Sequence, residues 1–559
     1  MKSWLIVPIG IVLAFPGLAQ ENGTDGETNP NEYLLTYEWD WDPWAKDAPL
    51  AERQVLVYNN GAEPETLDPA MMTGIPEHRL AMTMFEGLTT LDPKTLQARP
   101  GMAETWEISP DGLVYTFHLR KDAVWVNRTG EVIDPVTSRD FWWAWKRVLD
   151  PATGSLYAEQ LFYVKNAAEF NKKEIDDFAK VGVEMPDDHT LVVTLRAPTP
   201  FFMELTAFET LMPVHRATVE RHGLAWTKPE NIATNGPFRL KDWLPRERIT
   251  FVKNEKYWEA GKIVLQQIDA LPIEDDGVAY NKFLKEEVDW ILAIPTPRVD
   301  EVRQNFDYYV VPYLGSYFFR FNVKKAPFDN SLVRKAFAMS VDRVELCRNV
   351  LKAGQVPATG HVPSSIEKYM PYEGVEGLGF DPVEARELLA EAGYPEGKDF
   401  PKVELLYNTN EGHKLVSQFL VETWRNNLGV NVELYNCEWK VYLDLVHNEN
   451  YQISRAGWIG DYVDPNTFLD MFVTGRGNNN TGWSNAKYDE LIDMANRELD
   501  REKRMKFFQD AERILCLEDL PILPIYFYVN QGCLSPAVRG VWHNIRDMHP
   551  PQYVWIAEE

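Results

Sequence analysis

Between residues 381 and 435 the chain alternates between helical and strand character in a way that few folds can accommodate. Asp381-Pro382 places a capping side chain and a first-turn proline at a helix start, and Gly393 supplies the end. Residues 402–407 then read as a strand, residues 413–427 as a helix and residues 430–435 as a second strand. Two strands that run the same way need a crossover, and a helix lying on the sheet provides it. The stretch therefore predicts a β-α-β unit in a parallel sheet with helices on its faces. Further strands are expected at 54–58, 114–119, 190–195 and 525–529. A helix capped by Ser138 should end before Pro151, and two amphipathic helices should lie between 486 and 513. Nothing repeats and no low-complexity linker divides the chain, so an α/β fold of lobes joined by crossing strands is expected rather than separate beads.

At 559 residues, with 45% hydrophobic and 13% aromatic side chains, the chain can fill large cores. That length predicts roughly two to four structural units. Eighty-four acidic against 57 basic side chains, a formal charge of −27, exclude nucleic acid and anionic lipid as partners, since both need basic surfaces. Lys2, the apolar run 4–18 and the small residues Gly17 and Ala19 read as an export signal over residues 1–19. Pro8 and Pro16 interrupt the run, and it is short for a bilayer span. No cysteine stands at the cleavage point, which argues against a lipoprotein. Residues 20–50 form an acidic, Trp-rich arm with Trp39, Trp41 and Trp44. Cys347, Cys437, Cys516 and Cys533 are too few for a disulfide framework and show no zinc spacing, so buried free thiols are expected, with no metal and no cofactor.

The tract of greatest chemical interest is Arg455-Ala456-Gly457-Trp458-Ile459-Gly460-Asp461-Tyr462. A cation, a flat aromatic and an anion stand within a reach of at most ~20 Å. A short peptide, with its ammonium, carboxylate and planar backbone, is a ligand that could meet all three. Searches for catalytic settings find no HExxH, GxSxG, phosphate-binding loop or GxGxxG. The acids are so numerous that nominating a pair for glycoside chemistry carries no weight. An enzyme is not expected.

The run 106–120, WEISPDGLVYTFHLR, resembles the signature of the family-5 extracellular solute-binding proteins of ABC transporters, in their oligopeptide-binding branch. Phe85-Glu86-Gly87-Leu88, Thr234-Asn235-Gly236-Pro237-Phe238, Lys325-Ala326-Pro327-Phe328 and Leu405-Leu406-Tyr407-Asn408-Thr409 fit the same pattern. The resemblance covers residue 52 to the C-terminus. It implies a three-lobed periplasmic binding protein fold, with the ligand held between two large lobes and released to an inner-membrane ABC permease. The implied division is 51–85, 216–314 and 522–559 for lobe I, 86–215 for lobe II and 315–521 for lobe III. The implied protein is a periplasmic monomer that binds peptides of about two to five residues through their main chain.

Carried over by position, Asp461 matches the acid that takes the peptide's α-ammonium. Arg455 and His413 match groups that meet its carboxylate at different lengths. Trp458 and Tyr157 match aromatics at the ligand, Gly457 a backbone contact and Trp439 a pocket wall. Departures accompany these matches. Thr73 and Arg320 stand where the family has glutamates, Val446 where it has an arginine, and Leu351, beside Lys352, where it has a lysine. Gly315 and Ile459 replace its bridging cysteines. Two acids gone and one arginine gained imply a preference shifted towards acidic or chemically modified peptides. The competing readings are a receptor for a specialised solute (murein peptide, dipeptide, glutathione, haem or a nickel complex), a secreted hydrolase and a structural envelope protein. Recovery of intact ligand after long incubation would separate binding from hydrolysis.

Overall fold

The expected β-α-β unit is present in the computed structural model, which describes residues 48–558 apart from 305–306, 477 and 499. Strands Val403–Asn408 and Val432–Cys437 pair in parallel, Val403 opposite Val432, and the helix Glu411–Leu428 connects them. The preceding helix, Pro382–Glu391, starts as its sequence dictates. The Asp381 carboxylate accepts from the Val383 and Glu384 amides at 3.0 and 2.9 Å, and Gly393 takes the left-handed conformation at φ +100°. One expectation is corrected. The cap of helix Ser138–Leu149 is Thr137, in a reciprocal box with Asp140. Ser138 turns its hydroxyl instead to the Asp187 carbonyl at 2.5 Å.

The β-α-β unit forms one end of an eleven-stranded mixed sheet. From the other edge the strands run Phe238–Leu244, Arg248–Lys253, Gln267–Leu271, Val55–Asn59 and Trp290–Ile291. Then come Ile522–Leu534, Tyr308–Phe321, Ile453–Ile459, Val403–Asn408 and Val432–Cys437, with Val356–Pro357 paired off the path. Ile522–Leu534 and Tyr308–Phe321 are the crossing strands, long enough to belong to both halves. Their ladder breaks between Pro312↔Val529 and Ser316↔Phe527, where residues 313–315 bulge opposite Tyr528 alone. A separate four-stranded antiparallel sheet is built from Ala103–Ile108, Val114–Leu119, Thr190–Thr194 and Val183–Asp187.

Hydrophobic burial follows this plan. Tyr317, Phe319 and Phe321 pack with Val416 and Trp424 on one face of the crossing strand, while Leu314 and Phe318 pack with Phe468 and Phe508 on the other. Period-2 alternation along a strand buried on both faces puts alternate side chains into two different cores. The fold is of the expected α/β class, with one large mixed sheet and a separate antiparallel one. The signal segment 1–19 and the arm up to residue 47 lie outside the described residues. Where the arm becomes described it is docked: Leu50 bridges Ala557, and the Pro49 carbonyl accepts from the Glu558 amide at 2.9 Å. Among the described residues no helix is long and apolar enough to cross a membrane, and no cluster of three or more His, Cys, Asp or Glu could hold a metal ion. All four cysteines are free, Cys437 half-buried and the others buried.

Candidate functional site

The strand Ile453–Ile459 carries the chemistry because one of its edges is open. Its first edge pairs with the crossing strand along its whole length, from Phe321↔Ile453 to Gly315↔Ile459. Its second edge pairs with Val403–Asn408 only at Ile453 and Ser454. From Arg455 onwards no strand among the described residues covers that side. Unpaired backbone donors and acceptors on a rigid strand are a template for adding an extended peptide, whatever its side chains.

The side chains on this strand divide between two faces. Arg455 and Gly457 oppose Phe319 and Tyr317, whereas Ala456 and Trp458 oppose Phe318 and Ser316. Gly457 has no room for more: a Cβ there would stand 2.7 Å from the Tyr528 hydroxyl and 3.3 Å from Arg455 Nη2. Arg455 donates from Nη2 to Tyr528 at 2.9 Å and lies 4.8 Å from the centre of the Tyr317 ring. Burial works against its charge, and the hydroxyls of Tyr528, Tyr317, Tyr442 and Tyr526 more than offset it. Its Nε is buried without a partner. His413 sits in the first turn of its helix, where the Asn410 side chain accepts from its amide at 3.1 Å. Its Nδ1 is 3.3 Å from the Tyr317 hydroxyl. Burial, then Arg455, push its pKa down to about 2, so it is a neutral imidazole beside a guanidinium. This end therefore presents one buried guanidinium surrounded by tyrosine hydroxyls and a neutral imidazole.

At the other end Asp461 follows Gly460 off the strand. It accepts from Gln160 Nε2 at 3.0 Å, and its amide donates to Thr467 Oγ1 at 3.2 Å. Burial pushes its pKa up to about 7; Arg546 opposes the rise and Glu209 adds to it. Tyr157 shares this surrounding, since Asp461, then burial, hold its hydroxyl well above the usual tyrosine value. Its ring lies 5.8 Å from that of Phe208. Trp458 Nε1 donates to Thr467 Oγ1 at 3.3 Å. Trp458, Asp461, Gln160, Tyr163, Arg196 and Arg476 are among the residues around a cavity of about 50 Å³. That is well below the roughly 300 Å³ of an ordinary small-molecule site. Residues 159–196 wall one side and residues 458–478 the other.

The structure thus brings Asp461, Trp458 and Tyr157 together at one end and Arg455, Gly457 and His413 at the other. Arg320 is elsewhere. It is 8% exposed, on the face of Phe318, whose ring centre is 5.5 Å away, and its Nη2 is 3.5 Å from the Asn478 carbonyl. Trp439 opens the helix Trp439–His447, and its side chain lies outside the described part of the chain. Thr73 is exposed; Val446 is buried against Leu406, Tyr442 and Tyr451; Leu351 is buried, and Lys352 pairs with Asp300 at 2.8 Å. Gly315 faces Ile459, whose Cδ1 comes within 2.5 Å of where a Cβ on Gly315 would be. Sequence reasoning missed Gln160, Tyr317, Tyr528 and Arg546. The alternation of tyrosines at 526 and 528 pointed to one face of a strand, but nothing in the sequence pointed to the other three.

Comparison with known proteins bears on what this geometry serves. Residues 97–480 match the bacterial extracellular solute-binding proteins, family 5. The oligopeptide-binding protein OppA of Bacillus subtilis is 36% identical over 501 residues, 88% of this chain and 90% of that protein. The periplasmic oligopeptide-binding protein OppA of Escherichia coli is 37% identical over 502 residues, again 88% and 90%. Among solved structures, the Haemophilus influenzae OppA complex with the peptide RPPGFSPFR superposes with a TM-score of 0.79 at 35% identity, over 91% of this chain and 100% of that one.

Proposed function

The chain belongs to the family 5 bacterial extracellular solute-binding proteins, and on that premise we propose that it captures short peptides between its lobes in the periplasm and hands them to an ABC permease. The observation that carries this reading is the open edge of Ile453–Ile459, flanked by a buried carboxylate at Asp461 and a guanidinium at Arg455. The backbone of an extended peptide satisfies the edge, its ammonium meets Asp461, and its carboxylate meets Arg455 with His413 beside it. Charge-assisted bonds shielded from water fix the two ends. Side chains are left to water-adapted space, so sequence matters little. The peptides are of about two to five residues, the receptor is a monomer, and the ligand leaves chemically unchanged.

The lobes follow 51–85 with 216–314 and 522–559, then 86–215, then 315–521, and the bulge at 313–315 opposite Tyr528 supports a hinge at the boundary between 314 and 315. Hinge closure on ligand is the motion known for periplasmic binding proteins. The support for a preference for acidic side chains is the replacement of two family glutamates by Thr73 and Arg320, although Arg320 lies on the Phe318 face, away from Arg455 and Asp461. A preference for Lys-rich over Glu-rich tripeptides would overturn that part.

The test of the main reading is native mass spectrometry of the freshly purified mature protein, with ejection and sequencing of what it carries. A ladder of mixed peptides of two to five residues is expected. A protein that shows no bound peptide after addition of tripeptides would overturn the proposal.

A further inference from the structure

Before any ligand arrives, Asp461 already feels the guanidinium of Arg546. The carbonyl of Leu314, in the bulge of the crossing strand, accepts from the Gly460 amide at 2.8 Å, and the Leu314 amide donates to the Ile545 carbonyl at 2.6 Å. One residue therefore ties down the immediate predecessors of both Asp461 and Arg546. The turn that presents Arg546 is rigid. Asn544 Oδ1 accepts from the amides of Arg546 and Met548 at 3.0 and 3.1 Å, and its Nδ2 donates to the Pro93 and Met548 carbonyls at 3.0 and 2.7 Å. Asp547 is held by Arg79 at 2.7 Å and by His549 at 2.9 Å. No such hold is needed for a surface arginine.

Two carboxylates of the segment 204–209 act on the same guanidinium. Glu209 is buried and bonded to His78 Nδ1 at 2.6 Å, while His78 Nε2 lies 2.9 Å from Met548 Sδ in the Arg546 turn. Glu204 has a buried Oε2 with no partner. Arg546 feels Asp461, Glu204, Glu209 and Tyr313; Asp461 feels Arg546, Glu209, Gln160 and Glu159. Segments from all three proposed lobes thus meet at one cation.

Resting on the peptide-receptor reading, we propose that Arg546 is the positioning residue of the ammonium site: tethered through Leu314, it stands in for the ligand's α-ammonium at Asp461, and it passes to Glu209 when the ligand arrives. Peptide binding would then be an exchange of counter-ions that also draws residues 204–209 towards the C-terminal turn. Glu209 and Glu159 supply the repulsion on Asp461 that Arg546 opposes, so removing Arg546 and removing Glu209 should move Asp461 in opposite directions.

The experiment is calorimetry of trialanine and N-acetyl-trialanine binding between pH 5.5 and 8 for the wild type, Arg546→Met, Arg546→Lys and Glu209→Gln. The acid limb of trialanine affinity should move up by about one pH unit or more in Arg546→Met and return in Arg546→Lys, and it should move down in Glu209→Gln. N-acetyl-trialanine, which has no ammonium, should show no such limb in any of them. Limbs that stay in place, or a uniform loss for both ligands at every pH, would overturn the exchange and leave the peptide-receptor reading standing. A wild type that binds neither ligand at any pH would overturn that reading itself. Opposite shifts from Arg546→Met and Glu209→Gln cannot come from general loosening, so the pair guards against a variant that folds poorly.

Discussion

Peptide affinity should depend steeply on pH below neutrality, and the dependence should vanish when the ligand's amine is blocked. Burial pushes Asp461 up to about 7, so the unliganded carboxyl is protonated across a range where an ordinary aspartate is not. An ammonium beside it favours the ionised form, so the pKa falls on binding and protons are released. The sign follows: affinity is full above the free-protein pKa and is lost as pH falls through it. Roughly three quarters of Asp461 is ionised at pH 7.5 and about 3% at pH 5.5. The α-amine, with a pKa near 7.7–8.0, is mostly charged at pH 7.5 and below and about half charged or less at pH 8. His413, pushed down to about 2, does not titrate in this window. The ratio of the two ionised fractions of Asp461 sets the fall from pH 7.5 to 5.5 at no more than about twenty-fivefold. Calorimetry with trialanine from pH 8 to 5.5 measures it. Asp461→Asn should bind at least tenfold more weakly at pH 7.5, with a flat profile, since losing one partner of a desolvated pair costs ~2–5 kcal/mol. A wild-type profile that is flat, or equally steep for N-acetyl-trialanine, would refute the assignment of Asp461 as the ammonium anchor.

Three further outcomes are expected. Gly457→Ala should weaken peptide binding at least tenfold with little loss of thermal stability, because its Cβ displaces the Tyr528 hydroxyl and Arg455 Nη2, and Tyr528→Phe should restore part of the loss in the double variant. Asp464→Asn should cost about 3–5 kcal/mol in a denaturant titration, because it leaves Arg504, bonded to both carboxylate oxygens at 2.6 and 2.8 Å, as an unpaired buried charge. In the native protein a thiol reagent should modify Cys437 alone, and all four cysteines should react after denaturation; rapid native labelling of Cys516 would contradict its burial.

The parts of the fold that sequence made legible are those ruled by local chemistry. Asp381-Pro382, Gly393 and the alternation at 402–437 are decisions taken within a few residues, and the structure follows them. Arg455, Trp458 and Asp461 stood out because one tract contained all three. What stayed hidden depends on contacts between distant segments. Gln160 reaches Asp461 across 301 positions, and Tyr528 reaches Arg455 across 73. Arg546 sits in a tract of ordinary loop composition, and only the hydrogen bonds of Leu314 reveal that it lies beside Asp461. Arg320 shows the converse, for its place on a strand said nothing about which face it would occupy.

The division of labour between the two ends explains how such a site can be permissive and still selective for peptides. Arg455 is surrounded by tyrosine hydroxyls and a neutral imidazole, so its environment needs no acid to be stable and no proton to be ready. Asp461 is the opposite: burial, with Glu209 and Glu159 nearby, pushes it up to about 7 against the opposing pull of Arg546 and the Gln160 bond. A ligand lacking an ammonium leaves that crowding unrelieved, whereas a ligand lacking a particular side chain leaves nothing unpaired. Because desolvating an unpaired polar group costs more than making its bond gains, the penalty falls on the wrong termini rather than on the wrong sequence. Selection by termini and backbone, with indifference to side chains, is what a receptor for mixed short peptides requires, and the open edge beyond Ser454 supplies the backbone half of it.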